Sequence, residues 1–561
     1  MKTFGRIMIA ATFALGLGAC SGDDGKDGVD GTNGSPGTPG TPGTPGLGDV
    51  LLDLKPIGRY ASGKVEVSAA EIVTYDATTQ RLFVVNAADA TVDVLDLANP
   101  AAPAKIGTIA TTGGGSANSV AVHDGLVAVA VQAESKTDNG TVEFFNASTL
   151  AKISEVTVGA LPDMLTFAPD GTAVLVANEG EPTADYETDP PGSISVIDLR
   201  AGAATPSVVT VGFESFNDQA DALRAQGVRI YGPGATVAQD LEPEYIAVAP
   251  DGKSAWVTLQ EANAAAVLDL ADIAAPTVTR IVPFGLKDHS IIGNELDASD
   301  RDGPGNGPRI NLRNWPVKGL YQPDAIAAYD FAGKTYYVTA NEGDDRNDFI
   351  PGEETRRVSA GAVVLDPAIF PDAATLKQNA NLGRLTITPF GAKTNGTGQL
   401  QELLVLGGRS FSIWSEDGHQ VYDSGSDFER ITARRNPLFF NASNDNNNQD
   451  DRSDNKGPEP EGVALGKIAG RTFAFIGLER IGGVMVYDVS NPQNARFVQY
   501  VNTRDFTKAI DDPSAGDIGP EGLAFIPAAT SPSGKPLLAV GNEVSGTTAI
   551  FQIDVVELQN D

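Results

Sequence analysis

"EPEYIAVAPDG", Glu242 to Gly252, sets carboxylates and a proline directly before a short alternating apolar run and closes that run with Pro-Asp-Gly. The chain repeats the arrangement: "LPDMLTFAPDG" starts at Leu161, "YQPDAIAAY" at Tyr321, "PEPEGVALG" at Pro458 and "GPEGLAFIP" at Gly519. Apolar and polar residues that alternate and end in turn residues mark a strand with one buried face. The same mark recurring along a chain points to a repeat architecture.

Working outward, each such opening begins a unit of four strand-like runs, a to d. In the fifth unit these are "DAIAAY", "KTYYVTAN", "GAVVLDP" and "LGRLTITPF"; in the first, "EIVTYD", "RLFVVN", "TVDVLDL" and "KIGTIAT". About eight units start near residues 71, 118, 162, 243, 323, 400, 459 and 519, the sixth being irregular. Serial four-stranded antiparallel units predict an all-β fold, a β-propeller of seven or eight four-stranded blades, eight by this count. The last unit stops after its c strand, "TAIFQIDVV", while "LLDLKPIGRY", Leu51 to Tyr60, precedes the first. That N-terminal strand is expected to supply the missing d strand and close the ring, leaving no bare sheet edge. The propeller domain is placed at residues 50–561.

Composition narrows the function. Among 561 residues, 73 acidic against 40 basic side chains give a net charge of −33, the wrong sign for binding nucleic acid. Cations are the natural counterpart. The single cysteine, Cys20, excludes a disulfide. Lys2 and Arg6 flank an apolar run, Ile7 to Leu17, too short for a permanent span. It ends in "LGAC", Leu17 to Cys20, which resembles a bacterial lipobox. Residues 1–20 are therefore expected to be a lipoprotein signal peptide and Cys20 the lipidated residue, anchoring the exported protein to a membrane. Ser21 after the cysteine fits sorting to the outer membrane or surface of a Gram-negative cell. Residues 21–49 hold "GKDGVDGTNGSPGTPGTPGTPG", with glycine at every third position, a collagen-like pattern expected to act as an extended tether.

The carboxylates form two sets. Asp163, Glu244, Asp324, Glu461 and Glu521 open a strands; Glu179, Glu261, Glu342, Glu479 and Glu543 close b strands, 16 to 22 residues later in each unit. Strands a and b are antiparallel neighbours, so the start of one lies beside the end of the other, and both sets should ring one mouth of the central channel. Ten carboxylates there need either protons or cations. With three histidines and no spare cysteine, zinc, copper and iron–sulfur centres are poor candidates, while calcium or another divalent cation suits the oxygen donors. All ten are candidate metal ligands, for an unspecified number of ions. "DASDRDGPGNG", Asp297 to Gly307, has the texture of a calcium loop without the closing glutamate of an EF-hand. Arg409, in "LGGRSFSIW", and Arg480, next to Glu479, interrupt the ring; they are placed to clamp a phosphate held by metals, or to pair with the acidic loops. His123, His289 and His419 are scattered, and no nucleophile triad or phosphate loop is visible.

"LDASDRDG", "NWPVKGLYQPDAIAAY", "NEGDDRND", "GGRSFSIW", "VYDSGSDFE", "DDRSDNKGPEPEGVALG", "LERIGGVMVYDVSNP" and "GPEGLAFIPAATSPSGKPLLAVGNEVSGTT" together resemble the choice-of-anchor I family, over about residues 55 to 556. The resemblance implies a bacterial surface propeller related to the mesenchyme-specific cell-surface glycoproteins, with some relatives labelled atypical alkaline phosphatases. Two functions follow as expectations. One is a metal-dependent phosphoester hydrolase using the carboxylate ring and Arg409 and Arg480. The other is a non-catalytic surface module, stiffened by calcium, that binds a protein or glycan.

Overall fold

The second strand of each unit is apolar on both faces, and Ala173–Asn178 buries all six of its residues. A strand of that kind needs cover above and below, which neighbouring sheets provide. A computed structural model describes residues 50–112, 115–350 and 353–557, and there the strands form seven four-stranded antiparallel sheets. We number them 1 to 7 by their first strands: Val73–Asp76, Ala117–His123, Pro162–Phe167, Ile246–Val248, Ile326–Phe331, Pro460–Ile468 and Pro520–Ile526. These first strands touch in succession, and that of sheet 7 touches that of sheet 1. An apolar cluster fills each of the seven junctions between consecutive sheets. At the junction of sheets 4 and 5, Trp256 stacks on Tyr337 at 4.5 Å, a pairing worth about 0.5–1.5 kcal/mol beyond burial. This is the arrangement of a β-propeller, with the core divided among the junctions.

Sheet 7 takes its outer strand from the other end of the chain. Val50–Ala61 runs antiparallel to Thr547–Glu557, with Val50 opposite Glu557 and Ala61 opposite Thr547. The signal peptide, Cys20 and the tether, residues 1–49, lie outside the described residues.

The irregular sixth unit makes no sheet of its own, so the count of four-stranded sheets is seven rather than eight. "GAVVLDP" and "LGRLTITPF" are not the third and fourth strands of sheet 5; Ser410–Ser415 and Gln420–Asp423 fill those places. Residues 342–409 are an insertion between its second and third strands. Val363 and Leu365 of one run and Leu382, Leu385 and Ile387 of the other pack together with Trp315 and Val317 in a separate apolar cluster. Short apolar runs read alike whether they pair in a ladder or fill a loop core. Fully buried Arg346 ties the insertion to the approach to sheet 4 by bonding Asp240 and, at 2.7 Å, Glu242. Of the two glutamates in "EPEY", Glu242 is thus held by an arginine, while Glu244 faces elsewhere.

Candidate metal centre at the channel mouth

The Pro-acid pair that opens three first strands is a β-bulge. Register jumps from Pro162 to Leu165, from Pro460 to Val463 and from Pro520 to Leu523, leaving Asp163, Glu461 and Glu521 outside the ladder. Bulges re-aim side chains in this way. In "PEG" the glycine has its own task. A Cβ on Gly462 would lie 1.8 Å from the Glu521 carbonyl oxygen, and one on Gly522 would lie 2.6 Å from that of Glu71. The motif therefore brings adjacent first strands close together and swings a carboxylate off the sheet at the same point.

The structure brings the two carboxylate sets into one space. Glu521 is raised far above the ordinary carboxylate range by burial and by Glu71, Glu543, Asp324 and Asp163. Glu461 is raised by burial and by Glu479, Glu342, Glu521 and Glu543, and Asp324 by burial and by Glu342, Asp163 and Asp344. Burial, Glu181 and Glu261 push Asp163 up to about 7. Acids from sheets 3, 5, 6 and 7 thus lie close enough to oppose one another's ionisation. Sheet 2 contributes amides at the same positions, with Asn118 donating to the Gln132 side-chain oxygen at 3.2 Å.

Within the ring, three groups each bring three carboxylate oxygens within 4.8 Å of one another: Glu71, Glu521 and Glu543; Glu179, Glu244 and Glu261; Glu342, Glu459 and Glu479. Their electrostatic settings differ. The third group carries its own cations. Lys456 Nζ lies 2.8 Å from Glu342 and 3.1 Å from Glu459, and Arg480 lies 2.9 Å from Glu459 and 3.1 Å from Glu479. Burial favours protonation of Glu459, but Lys456, Arg452 and Arg480 overcome it and hold the carboxyl far below its usual range. In the Glu179 group, by contrast, Glu244 and Glu261 are 8% and 4% exposed, and each keeps an enclosed oxygen without a hydrogen-bond partner. No ion pair to Glu179, Glu244 or Glu261 occurs among the described residues. Burial raises Glu179 and Glu244 well above the usual range, and neighbouring carboxylates add to the rise. The Glu71 group is intermediate: Glu543 accepts the Ser68 hydroxyl at 3.3 Å, and burial with Glu543 pushes Glu71 up to about 8.

The arginines stand differently from the sequence reading. Arg409 does not close a second strand; it immediately precedes the third strand of sheet 5. Its guanidinium is buried and bonds Glu429 at 2.8 Å and the carbonyls of Asp297, Ser453 and Asn455 at 2.8, 2.9 and 2.6 Å. Arg480 does sit at the ring, but its donors go to Glu459, Glu479 and the Asn444 side chain. Sequence reasoning missed Glu71, Glu459 and Lys456. Glu71 opens "EIVTYD" as the other acids open their strands but follows alanine rather than proline, and Glu459 stands two residues before Glu461 in "PEPEG". Nothing local marks Lys456.

The choice-of-anchor I domain model matches residues 71–492. Gigasin-3a of Magallana gigas is 31% identical over 192 residues, 32% of this chain and 67% of that protein. Mesenchyme-specific cell surface glycoprotein of Strongylocentrotus purpuratus is 27% identical over 332 residues, 52% of this chain and 41% of that protein. Among solved structures, Kuenenia stuttgartiensis hydrazine synthase aligns with 90% of this chain and 100% of its own at 14% identity and a TM-score of 0.43. The β-propeller domain of Myceliophteria thermophila Cps50 (Swd1) aligns with 89% of this chain and 99% of its own at 9% identity and a TM-score of 0.39. Likenesses as loose as these two carry no functional argument.

Proposed function

We propose, from the premise that this chain belongs to the choice-of-anchor I family, that it is a surface-displayed propeller whose channel mouth binds divalent cations. Calcium is the best fit, because the donors are carboxylate oxygens with no nitrogen or sulfur ligand among them. The observation that carries the reading is the Glu179–Glu244–Glu261 group: three oxygens within 4.8 Å, two of the residues buried with unpartnered oxygens, and no cationic side chain bonded to them. Buried like charges in that state demand a counter-ion or protons. The Glu71–Glu521–Glu543 group is a second cation position. The Glu342–Glu459–Glu479 group is served by Lys456 and Arg480, so of the ten expected ligands Glu342 and Glu479 drop out of the metal set, while Asp163, Asp324 and Glu461 supply field rather than first contact.

The non-catalytic reading gains from the arginines. A phosphoester hydrolase needs free donors for the developing charge, whereas Arg409 commits both its terminal nitrogens to Glu429 and backbone carbonyls and Arg480 is engaged with Glu459, Glu479 and Asn444. Surface display agrees with the cell-surface glycoprotein relative, and lipidation at Cys20 is the proposed means of attachment. A surface protein or glycan is the proposed partner, bridged through the bound calcium. Purified protein stripped by chelator should gain thermal stability on calcium addition and turn over no aryl phosphate. Glu261→Gln should weaken that calcium response at least about tenfold in affinity, or about 1.4 kcal/mol. Chelator-sensitive phosphate release would reverse the choice between the two functions, and stability indifferent to calcium would remove the metal from both.

A further inference from the structure

Two carboxylates outside the mouth are completely enclosed. Asp297 and Asp450 are each 0% exposed. The first lies in "DASDRDG" and the second in "NASNDNNNQDDRSDNKG", residues 441–457, and neither carboxylate belongs to the mouth groups, although Lys456, Arg452 and Asn444 of the second segment reach them. Neither carboxylate forms an ion pair among the described residues. Asp297 accepts the backbone N–H of Asn311 at 2.5 Å and of Ser299 at 3.4 Å. Asp450 accepts the Arg309 N–H at 3.0 Å and the Ser453 hydroxyl at 2.5 Å. Arg409 reaches the Asp297 carbonyl but gives nothing to its carboxylate. Burial and Asp450 push Asp297 up to about 9, and burial pushes Asp450 up to about 7, with Asp302 and Glu429 opposing ionisation of both.

Independent of charge, two oxygens around this pair lack partners. Asn441 is 0% exposed; its Nδ2 donates to Ser453 Oγ and to Glu429, both at 2.9 Å, and its Oδ1 accepts nothing. Ser453 Oγ also donates to Asp450, so the amide whose oxygen is free is linked to that carboxylate through its nitrogen and Ser453. Asp302 has one oxygen bonded by the Asn311 side chain at 2.6 Å and the other enclosed and unpartnered. Orphaned oxygens of this kind lose their hydration without compensation.

We propose that a divalent cation, calcium by its preference for carboxylate and amide oxygens, binds between Asp297 and Asp450. Asn441 Oδ1 adds to the donor set. The ion fastens residues 297–313 to residues 441–457. This site is separate from the channel mouth and stands whether or not the mouth binds metal. The test counts calcium bound by the full chain after chelator stripping, by titration calorimetry and elemental analysis. Asp297→Asn/Asp450→Asn should bind one calcium fewer per chain than the unsubstituted protein, and Glu244→Gln/Glu261→Gln should keep that calcium. An unchanged count in the aspartate variant overturns the proposal and leaves a shared proton as the neutralising agent. Should that variant fail to fold, hydrogen exchange on the unsubstituted chain decides: calcium should slow amides in 297–313 and 441–457 by about tenfold or more. Exchange there that ignores calcium overturns the proposal equally.

Discussion

Glu459 and Glu261 are both enclosed carboxylates at one channel mouth, and they differ in what stands beside them. Glu459 has Lys456 and two arginines, Arg452 and Arg480, within bonding distance; Glu261 has an oxygen with no partner. Removing one member of a buried ion pair costs about 3–5 kcal/mol, because the other charge stays behind. Lys456→Gln should therefore destabilise the protein by that order in chelator, measured by denaturant unfolding. Calcium should restore part of the loss, since the change leaves Glu342 without its cation while Arg452 and Arg480 still serve Glu459. A Lys456→Gln protein as stable as its parent without calcium would mean the third group is not held by this lysine. At this scale the sequence was informative about the acids and silent about their partners. Pro-acid openings recur and can be aligned by eye, whereas Lys456 reaches Glu342 across 114 residues through a fold that no local pattern encodes.

The first strands owe their closeness to glycine. Gly462 leaves room for the Glu521 carbonyl, and an alanine there would place its Cβ 1.8 Å from that oxygen. Because that contact is backbone rather than a flexible side chain, the two strands would have to part. Gly462→Ala should cost about 1–3 kcal/mol, as overpacking does, and should lower calcium affinity by displacing Glu521 from Glu71 and Glu543. Denaturation with an unchanged midpoint would refute the close-approach account. Strand periodicity made these elements legible wherever a run was bounded by turn residues. It failed in residues 342–409, where "GAVVLDP" and "LGRLTITPF" have the right composition but bury Val363, Leu365, Leu382, Leu385 and Ile387 in a loop cluster. Only the distant "SFSIWS" and "QVYD" complete the ladder of sheet 5.

For the molecule as a whole, the ring acids together with the separate buried Asp297 make stability a function of pH. Asp163, Glu71 and Asp297 are pushed up to about 7, 8 and 9, against about 4 when unfolded. The folded chain therefore holds more protons than the unfolded chain between those limits. Stability from these groups is complete below the unfolded value and is lost as pH rises through the folded values. Glu459, depressed instead, contributes in the opposite sense and is lost only in acid. Melting temperature in chelator should fall between about pH 5 and pH 9, and the gain on adding calcium should widen over the same range. A flat profile in chelator would show that the mouth carboxylates are not sharing a confined field. Sheet 7 adds one more consequence. It joins strands from opposite ends of the chain, with Lys55 bonded to Asp554 across 499 residues, and it also carries Glu521 and Glu543. A polypeptide interrupted before its final segment would lack both that seam and those two proposed ligands, so a cation bound at the Glu71 position, if the proposed function holds, would report that the chain had been made through its final strand.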